Sequence, residues 1–369
     1  MRIRRRRLIA AAAAGLIAAA AGIAVALGDD GDAQPAAPSA AELDVRELAG
    51  ERLVAGFPGP SPPPALRRMI GRGDLAGVVL FAGNLGERGA ARRMIRSLQA
   101  IRRPPGLREP LLVMVDQEGG EVKRLPGAPN ASAAQMGRRG AAFSRRQGRL
   151  TGANLRGVGI DVDLAPVLDV GRRGGVIASE QRSFGANAAR VSSTAVPFAE
   201  GLQAAGVAAT AKHFPGLGAA TVNTDLGVAR IDLPAATIRS VDEAPFRAFA
   251  AAGGELVMIG SAIYPALSPR PAAFSRAIAT GELRDRIGFA GVSVTDELGA
   301  AAAEAFGSPG KVARAAAAAG TDLLMFRSYP AAARAGAALR GALRSGALAR
   351  AEAVESAQRL LDLRAQVGS

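Results

Sequence analysis

Eight short apolar runs, each followed by a stretch with helical periodicity, constrain the fold of this chain more than any other feature of its sequence. The runs are residues 53–57, 77–81, 111–115, 160–164, 207–211, 255–259, 291–294 and 321–325. They are hydrophobic at consecutive positions, as strands of a parallel sheet covered on both faces are. Eight such units predict an α/β fold of the (β/α)8 TIM barrel type, in which about 250 residues form one domain.

The stretches between the runs predict the helices of that barrel. They are residues 64–72, 90–103, 132–156, 188–205, 234–252, 273–287, 311–319 and 330–344, with a last helix over 349–367. We therefore expect a single catalytic barrel over residues 45–369.

The segment before the barrel carries the pattern of an export signal. Five arginines lie within residues 1–7, residues 8–27 carry no charge, and Asp29, Asp30 and Asp32 follow. This order is typical of a signal peptide or of an anchor helix that stays in the membrane, and we expect one of the two over residues 1–27. Residues 28–44 are rich in Ala, Pro, Asp and Ser and predict a disordered linker. The barrel is thus expected outside the cytoplasm, membrane-anchored or secreted.

The composition excludes several classes of site. The chain has no cysteine and one histidine, so disulfides and a zinc site built on several histidines are excluded. The net charge of +14 comes mostly from scattered arginines without a basic stripe or aromatic platforms, which disfavours nucleic-acid binding. No motif indicates a cofactor, a metal ion or an oligomeric state.

Polar side chains follow most of the predicted strands at the point where each strand ends. They include Asp116, Lys123 and Arg124, Asp163 and Asp169, Arg182, Lys212 and His213, Ser261, Asp296 and Glu297, and Arg327. Because the carboxyl ends of barrel strands meet in one mouth, we expect these side chains to surround one site. Taken singly, each could be a helix cap or a solvated loop charge. Together, carboxylates and cations suit a polyhydroxylated substrate and oxocarbenium chemistry, so the expected partner is a carbohydrate.

Five motifs in this order make the chain similar to a known family. Residues 115–120, 159–169, 182–185, 212–216 and 294–298 resemble glycoside hydrolase family 3, closest to single-domain β-N-acetylglucosaminidases that trim cell-wall sugars. The resemblance covers about residues 45–365. It implies a barrel enzyme that hydrolyses terminal β-linked N-acetylglucosamine, or a related β-sugar, with retention and without a cofactor.

The resemblance also implies roles for individual residues. Asp296 matches the nucleophile that forms a covalent glycosyl-enzyme. Asp116 matches the carboxylate that binds hydroxyls of the terminal sugar. Substrate-binding cations and donors are matched by Arg124, Arg182, Lys212 and His213. His213 is accordingly interpreted as a binding residue, not as the general acid/base.

The acid/base position departs from the family pattern. The related glucosaminidases carry Asp-Ser-His in the loop after the Lys-His-Phe-Pro-Gly motif, whereas this chain has Asn223, Thr224 and Asp225. Asp225 could itself be the acid/base, with a pKa raised in a closed apolar loop and a hydrogen bond from Asn223. Alternatively the protein binds glycans and hydrolyses them weakly or not at all. A third hypothesis is that activated substrates, or phosphate as acceptor, bypass the missing acid.

Overall fold

The computed structural model describes residues 39–368 and shows eight parallel strands that form a barrel. Every strand overlaps one of the eight predicted apolar runs, so the predicted TIM barrel is confirmed. The strands are β1 (Leu53–Ala55), β2 (Gly77–Leu80), β3 (Leu112–Val115), β4 (Val162–Asp163), β5 (Ala208–Phe214), β6 (Leu256–Ile259), β7 (Val292–Thr295) and β8 (Leu324–Phe326).

Parallel pairing runs around the barrel from β1 to β7, and β8 pairs with β1 in register Leu53↔Leu324. The remaining gap between β7 and β8 is bridged at Val294↔Leu323. There, the backbone N–H of Leu323 donates to Ser293 over 2.8 Å and that of Thr295 donates to Leu323 over 2.9 Å. Closure turns all eight carboxyl ends toward one mouth.

Helices surround the barrel, and short turns and hairpins decorate its loops. The α-helices are α1 (Val45–Gly50), α2 (Pro64–Gly71), α3 (Arg88–Gln99), α4 (Ala133–Arg139), α5 (Ala141–Arg156), α6 (Val176–Ser179), α7 (Ala188–Gln203), α8 (Ala235–Thr237), α9 (Ala244–Ala251), α10 (Ala301–Glu304), α11 (Pro309–Ala318), α12 (Tyr329–Arg344) and α13 (Arg350–Gly368). Ile238–Asp242 and Ala277–Arg286 are π-helical, and Ala40–Glu42, Ala82–Asn84 and Ala272–Phe274 are 3-10 turns. Two hairpins pair Gln117–Gly119 with Val122–Lys123 and Ile263–Tyr264 with Ser268–Pro271.

Three of the predicted helices are divided in the structure. The helix predicted over residues 273–287 consists of the 3-10 turn Ala272–Phe274 and the π-helical segment Ala277–Arg286. The helix predicted over residues 132–156 is broken at Gly140, which separates α4 from α5 and has φ of +88°. This left-handed conformation is open to glycine and ends an α-helix. The helix predicted over 234–252 consists of α8, a π-helical turn and α9. Pro245, near the start of α9, has no backbone N–H to continue the preceding turn.

Ordered packing begins slightly before the expected domain start at residue 45. Ala40 and Leu43 are buried, and the backbone N–H of Ala40 donates to Gln358 Oε1 over 3.0 Å. Asp44 and Glu47 then form a capping box at the start of α1. The predicted signal or anchor helix over 1–27 and most of the predicted linker lie outside the described residues. Within residues 39–368, no helix combines the length and apolar character needed to span a bilayer.

The barrel interior is filled from the strands and sealed at its base. A buried cluster takes side chains from every strand, including Val54, Met114 and Leu256, and joins them to Leu360 and Leu363 of α13. A larger buried cluster lies between the strands and the surrounding helices. Because α13 covers the base, the interior opens to solvent at the mouth.

Candidate active site

A cavity of about 370 Å³ opens at the carboxyl ends of the strands, and all seven predicted site residues line it. Its lining is Phe81, Asp116, Glu118, Glu121, Val122, Arg124, Val176, Ile177, Glu180, Arg182, Lys212, His213, Leu217, Asn223, Thr224, Asp225, Met258, Asp296, Glu297, Met325 and Arg327. Loops after β3, β4, β5, β7 and β8 all contribute.

Lys212 is the centre of a buried ion cluster at the end of β5. Its Nζ lies 2.6 Å from Asp116 Oδ1 and 2.6 Å from Glu118 Oε1, and its side chain is 2% exposed. Burial alone would lower the pKa of Lys212, but the charges of Asp116 and Glu118 outweigh burial and raise it. Lys212 is therefore a fixed cation next to the carboxylate that the sequence assigns to sugar binding.

Arg182 extends this cluster across the cavity wall. Its Nε and Nη2 donate to the two oxygens of Glu118 over 2.9 and 2.8 Å, a bidentate pair. Burial would raise the pKa of Glu118, but Lys212 and Arg182 hold it at about 2. Glu118 thus stays ionised and fixes both cations. The remaining Nη1 of Arg182 donates to Glu180 Oε2 over 3.2 Å.

His213 is oriented by Asp169, a buried carboxylate in the loop after β4. His213 Nδ1 lies 2.8 Å from Asp169 Oδ2, and the backbone N–H groups of His213 and Leu217 donate to Asp169 Oδ1 over 3.1 and 2.6 Å. Pairing with a carboxylate makes Nδ1 the protonated ring nitrogen. Nε2 therefore remains available to a ligand in the cavity, consistent with the binding role expected for His213.

Asp296 follows β7 and contributes its carboxylate to the cavity. Its backbone N–H donates to Ile259 over 2.9 Å, and its Oδ1 accepts from the backbone N–H of Glu297 over 2.9 Å. Burial raises the pKa of Asp296, His213 opposes this rise, and Asp225 adds to it. A partly buried carboxylate responds more strongly than a solvated one to positive charge that develops beside it.

Asp225 lies at the rim of the same cavity but is exposed. Asn223 does not donate to its carboxylate: Asn223 Oδ1 accepts from the Asp225 backbone N–H over 2.9 Å, and Asn223 Nδ2 donates to Glu180 Oε1 over 3.4 Å. The neighbouring Leu226 is 81% exposed. The prediction of a closed apolar environment around Asp225 is therefore wrong. Asp225 is exposed, and the neighbouring apolar side chain of Leu226 is turned to solvent.

Arg124 also lines the cavity, at the end of the hairpin that follows β3. Its backbone N–H donates to Gln117 Oε1 over 2.9 Å. Its Nε is buried and has no hydrogen-bond partner within the described part of the chain. Because this Nε is covered from solvent, contacts of Arg124 with a ligand in the cavity would come from the other N–H groups of its guanidinium.

Several residues of the site were given no individual role from the sequence, although Asp163, Asp169 and Glu297 were expected at the mouth. Glu118 lies two positions after Asp116, and Asp169 is the last residue of another family motif, so both belong to motifs that the sequence analysis recognised. Their ion-pair partners, however, are 94 and 44 residues away in the chain. Asp163 is buried beneath the cluster; burial raises its pKa to about 8, and its Oδ1 accepts from the Gln117 backbone N–H over 2.9 Å.

Glu297, next to Asp296, supports the loop after β7. Its oxygens accept from the backbone N–H groups of Gly299 and Arg327, each over 2.6 Å, and burial raises its pKa to about 7. In the part of the chain that the structure describes, no three acidic or histidine side chains are grouped to hold a metal ion.

A TIM barrel with carboxylates and fixed cations around one polar cavity is compatible with glycoside hydrolysis. The family model described as "Glycosyl hydrolase family 3 N terminal domain" matches residues 44–363, and the chain belongs to this family. The predicted family resemblance is thereby confirmed, and the protein is a glycosidase.

Curated relatives and solved structures agree with this assignment. An uncharacterized secreted glycosyl hydrolase of Arthroderma benhamiae is 36% identical over 346 residues, which are 90% of this chain and 97% of the relative. A beta-hexosaminidase of Thioalkalivibrio sulfidiphilus is 36% identical over 275 residues, 72% of this chain and 77% of the relative.

Two solved structures superpose closely on this barrel. A family 3 beta-N-acetylglucosaminidase of a Paenibacillus species has a TM-score of 0.83 at 32% identity over 88% of this chain, which spans 63% of that longer protein. A beta-N-acetylhexosaminidase of Beutenbergia cavernae has a TM-score of 0.81 at 31% identity, covering 88% of this chain and 99% of that one.

Proposed function

We propose that this protein removes terminal β-linked N-acetylglucosamine, or a related β-linked sugar, from cell-wall glycans by double displacement. The observation that carries the proposal is the buried ion cluster of Asp116, Glu118, Arg182 and Lys212, in the same cavity as Asp296. The names of the beta-hexosaminidase and beta-N-acetylglucosaminidase relatives support the choice of sugar.

Asp296 is the nucleophile in this mechanism. Its carboxylate attacks the anomeric carbon while the bond to the leaving oxygen breaks, which gives a glycosyl-aspartate ester. Water then attacks the same carbon from the opposite face and releases Asp296, so the configuration is retained. Positive charge on the sugar in both transition states stabilises the desolvated carboxylate, because a buried charge gains more from an opposite charge than a solvated one does.

The remaining predicted residues bind the sugar. Asp116 and the free Nε2 of His213 accept hydrogen bonds from hydroxyls, and Lys212, Arg182 and Arg124 donate to them. Lys212 and Arg182 are held by Glu118, so they do not have to be ordered when the substrate arrives. Such preorganisation lowers the entropic cost of binding.

Asp225 is the provisional general acid/base. It would protonate the glycosidic oxygen as the first bond breaks and take a proton from water in the second step. The location of Asp225 supports this role. Asp225 and Asp296 line the same cavity, and the charge of Asp225 raises the pKa of Asp296. The loop is held nearby, since the backbone N–H of Ala302 donates to Thr224 over 3.2 Å.

A catalytically weak glycan-binding protein of the cell envelope is the second candidate. Asp225 is exposed, and the Asn223 side chain donates to Glu180 and not to the Asp225 carboxylate. The general acid/base is therefore not oriented by a neighbouring side chain, as the histidine of the related glucosaminidases is. This arrangement would still leave the sugar-binding cluster intact.

Kinetics on aryl β-N-acetylglucosaminides and aryl β-glucosides separate the two candidates. We expect the wild-type protein to turn over, Asp296→Ala to lose activity, and Asp225→Ala to lose it mainly on poor leaving groups, with rescue by azide. Absence of turnover above the Asp296→Ala background would favour the binding protein. An Asp225→Ala enzyme equal to wild type on every substrate would remove Asp225 from the mechanism.

Export belongs to the proposal as well. The arginine-rich start and the uncharged residues 8–27 support a signal or anchor, and the Arthroderma relative is described as secreted. Recovery of mature protein beginning near residue 27 from the medium would indicate a cleaved signal, whereas retention in the membrane fraction would indicate an anchor.

A further inference from the structure

A second cavity, of about 800 Å³, opens at the base of the barrel, at the opposite end from the catalytic cavity. We call it the base cavity. Its walls come from the end of α3, the segment 100–112 that leads into β3, the end of α5 and the end of α13. Its lining combines apolar side chains with two acidic residues, Glu109 and Asp161, and six arginines: Arg96, Arg102, Arg103, Arg108, Arg156 and Arg364.

Three of the six arginines are held by the protein itself. Arg103 and Arg364 pair with Glu51 beneath the cavity. Arg156 Nη1 donates to the Val367 carbonyl over 2.7 Å and lies 3.8 Å from an oxygen of Asp161. These three therefore build the walls of the base cavity and leave little charge for a ligand.

The other three arginines are exposed around the cavity. Arg96 and Arg102 have no hydrogen-bond or ion-pair partner among residues 39–368. Arg108 is exposed as well, and its Nε donates to the Pro105 carbonyl over 3.1 Å. One acidic side chain, Glu109, lies beside them, so this edge of the base has an excess of positive charge next to an apolar cavity.

The described chain enters the barrel beside the base cavity. The backbone N–H of Ala40 donates to Gln358 of α13, and a Cβ placed on Gly106 would lie 3.1 Å from Leu43 Cδ2, so Leu43 packs against this glycine. The residues on either side of Gly106 line the cavity. Residues 1–38, which include the expected export signal or anchor, therefore join the barrel at its base.

We propose that the base cavity and its exposed arginines bind the surface of an anionic phospholipid membrane. The inference goes beyond the proposed hydrolysis and takes from it only the expected export. Guanidinium groups donate pairs of hydrogen bonds to phosphate oxygens. Binding of a protein to a lipid surface strengthens with the apolar area that it buries and with its attraction to anionic lipids, and the base cavity offers both.

Such binding would leave the active site accessible. The catalytic cavity lies at the other end of the strands, so a barrel docked by its base keeps its mouth open toward the glycan. If the anchor is retained, it joins the barrel on the same side, and the second contact with the membrane forms at a high effective concentration.

Flotation of residues 39–369 with lipid vesicles tests the proposal without the expected anchor. The Beutenbergia relative matches this barrel over 99% of its length, so a domain of this extent folds on its own. The probes are vesicles of phosphatidylcholine alone and of phosphatidylcholine with phosphatidylglycerol in equal parts. We expect binding to the anionic vesicles only, and weaker binding as salt is raised, because salt screens attraction between exposed charges.

Paired substitutions test the location of the contact. Arg96→Ala with Arg102→Ala should lower the partition coefficient by about tenfold or more, because an arginine near an anionic surface contributes about fivefold. Arg138→Ala with Arg146→Ala is the matched control: both side chains are exposed, and Arg146 precedes the end of α5 at the base by ten residues, or about 15 Å of helix. The control should change binding by less than about twofold.

An introduced cysteine reports which end of the barrel meets the lipid, because the chain has no cysteine of its own. A polarity-sensitive fluorophore on Ala100→Cys, in the lining of the base cavity, should shift its emission to shorter wavelength on anionic vesicles. The same fluorophore on Ala142→Cys, near the start of α5, should not shift.

Three results would overturn the inference: no binding to anionic vesicles, equal binding to neutral ones, or equal losses in the two paired variants. Equal losses would mean that the net charge of +14 attracts the barrel in any orientation. A shift at Ala142→Cys without one at Ala100→Cys would also overturn it. Thermal unfolding shows that each variant is folded. Flotation needs no turnover, so failure of the proposed hydrolysis would leave this test unchanged.

Discussion

The two ends of the barrel both bury charged side chains, but they pair them differently. At the base, Glu51 lies between Arg103 and Arg364, and the side chains of Glu51 and Arg364 are 0% and 1% exposed. At the mouth, Lys212 bridges Asp116 and Glu118, and the Asp116 side chain remains 18% exposed beside the cavity. The base cluster is closed to solvent, whereas the mouth cluster remains open to the cavity on the side of Asp116.

The charges of the base cluster are paired within the protein, although the Nε atoms of Arg103 and Arg364 are buried without a hydrogen-bond partner among residues 39–368. Arg364 Nη2 also donates to the Ala76 carbonyl over 2.8 Å, and Arg103 Nη1 donates to the Glu109 carbonyl over 2.9 Å. At the mouth, by contrast, Asp296 is partly buried and lines the cavity without an ion-pair partner among residues 39–368, and burial raises its pKa. The base charges therefore hold the barrel together, whereas the mouth charges border a cavity that is open to a ligand.

The largest expected effect is loss of catalysis without loss of stability at the mouth. We expect Asp296→Asn to lower kcat by about 10⁴-fold or more, because the amide cannot form the glycosyl ester. Burial raises the pKa of Asp296, so a neutral side chain should leave the melting temperature unchanged or higher. Steady-state kinetics and thermal unfolding check this. A kcat within tenfold of wild type would remove Asp296 as nucleophile.

The base should show the opposite behaviour. Glu51→Gln leaves Arg103 and Arg364 buried without a counter-charge, and we expect the free energy of unfolding to fall by about 3–5 kcal/mol. Activity per folded molecule should not change. Urea unfolding measures the loss, with Glu352→Gln as control: its partner Arg276 is 57% exposed, so that change should stay within about 0.5 kcal/mol. A loss below about 1 kcal/mol would contradict the closed-cluster interpretation.

A third, smaller effect depends on pH. Burial raises the pKa of Asp163 to about 8, against about 3.9 in an unfolded chain. Between these values the folded state binds more protons than the unfolded state, so the free energy of unfolding falls as pH rises from about 4 to 8. Asp163→Asn should reduce this loss of stability by on the order of 1 kcal/mol or more.

Urea unfolding of wild type and Asp163→Asn at pH 5 and pH 8 measures that difference. Five other carboxyls with pKa raised by burial remain in the variant as a common background with the same sign: Asp161 at about 6, Glu255 and Glu297 at about 7, and also Asp242 and Asp296. Parallel pH profiles for the two proteins would show that Asp163 does not titrate as inferred.

The smallest effect is expected at the rim. Asn223→Ala removes the hydrogen bond from the Asp225 backbone N–H and the 3.4 Å contact with Glu180. We expect a stability loss of about 1 kcal/mol or less, because both contacts lie at a partly exposed surface. A few-fold fall in kcat should accompany it if the loop positions Asp225. Unchanged kcat would show that Asn223 has no part in placing that carboxylate.

Local signals in the sequence were sufficient for the strands and for most of the cavity lining. Each barrel strand is buried on both faces, so it appears as a short apolar run, and the residue after it is at the mouth by geometry. Helix ends were harder to predict from the sequence. The helical periodicity is continuous across Gly140, but the positive φ of this glycine ends one helix and separates it from the next. Phe81, which also lines the cavity, gave no such signal, because an aromatic residue at a strand end is equally compatible with a core role.

By itself, the sequence determined the barrel, the family motifs and the absence of a histidine at the position of Asp225, since each is written in residue type and spacing. Only the tertiary structure decided what those residues contact. Glu118 clamps Lys212 and Arg182, Asp169 orients His213, and Asn223 turns toward Glu180. These pairings join segments that are far apart in the chain, and burial and the neighbouring charges together shift the pKa values of Glu118 and Lys212. A local sequence pattern therefore could not predict them.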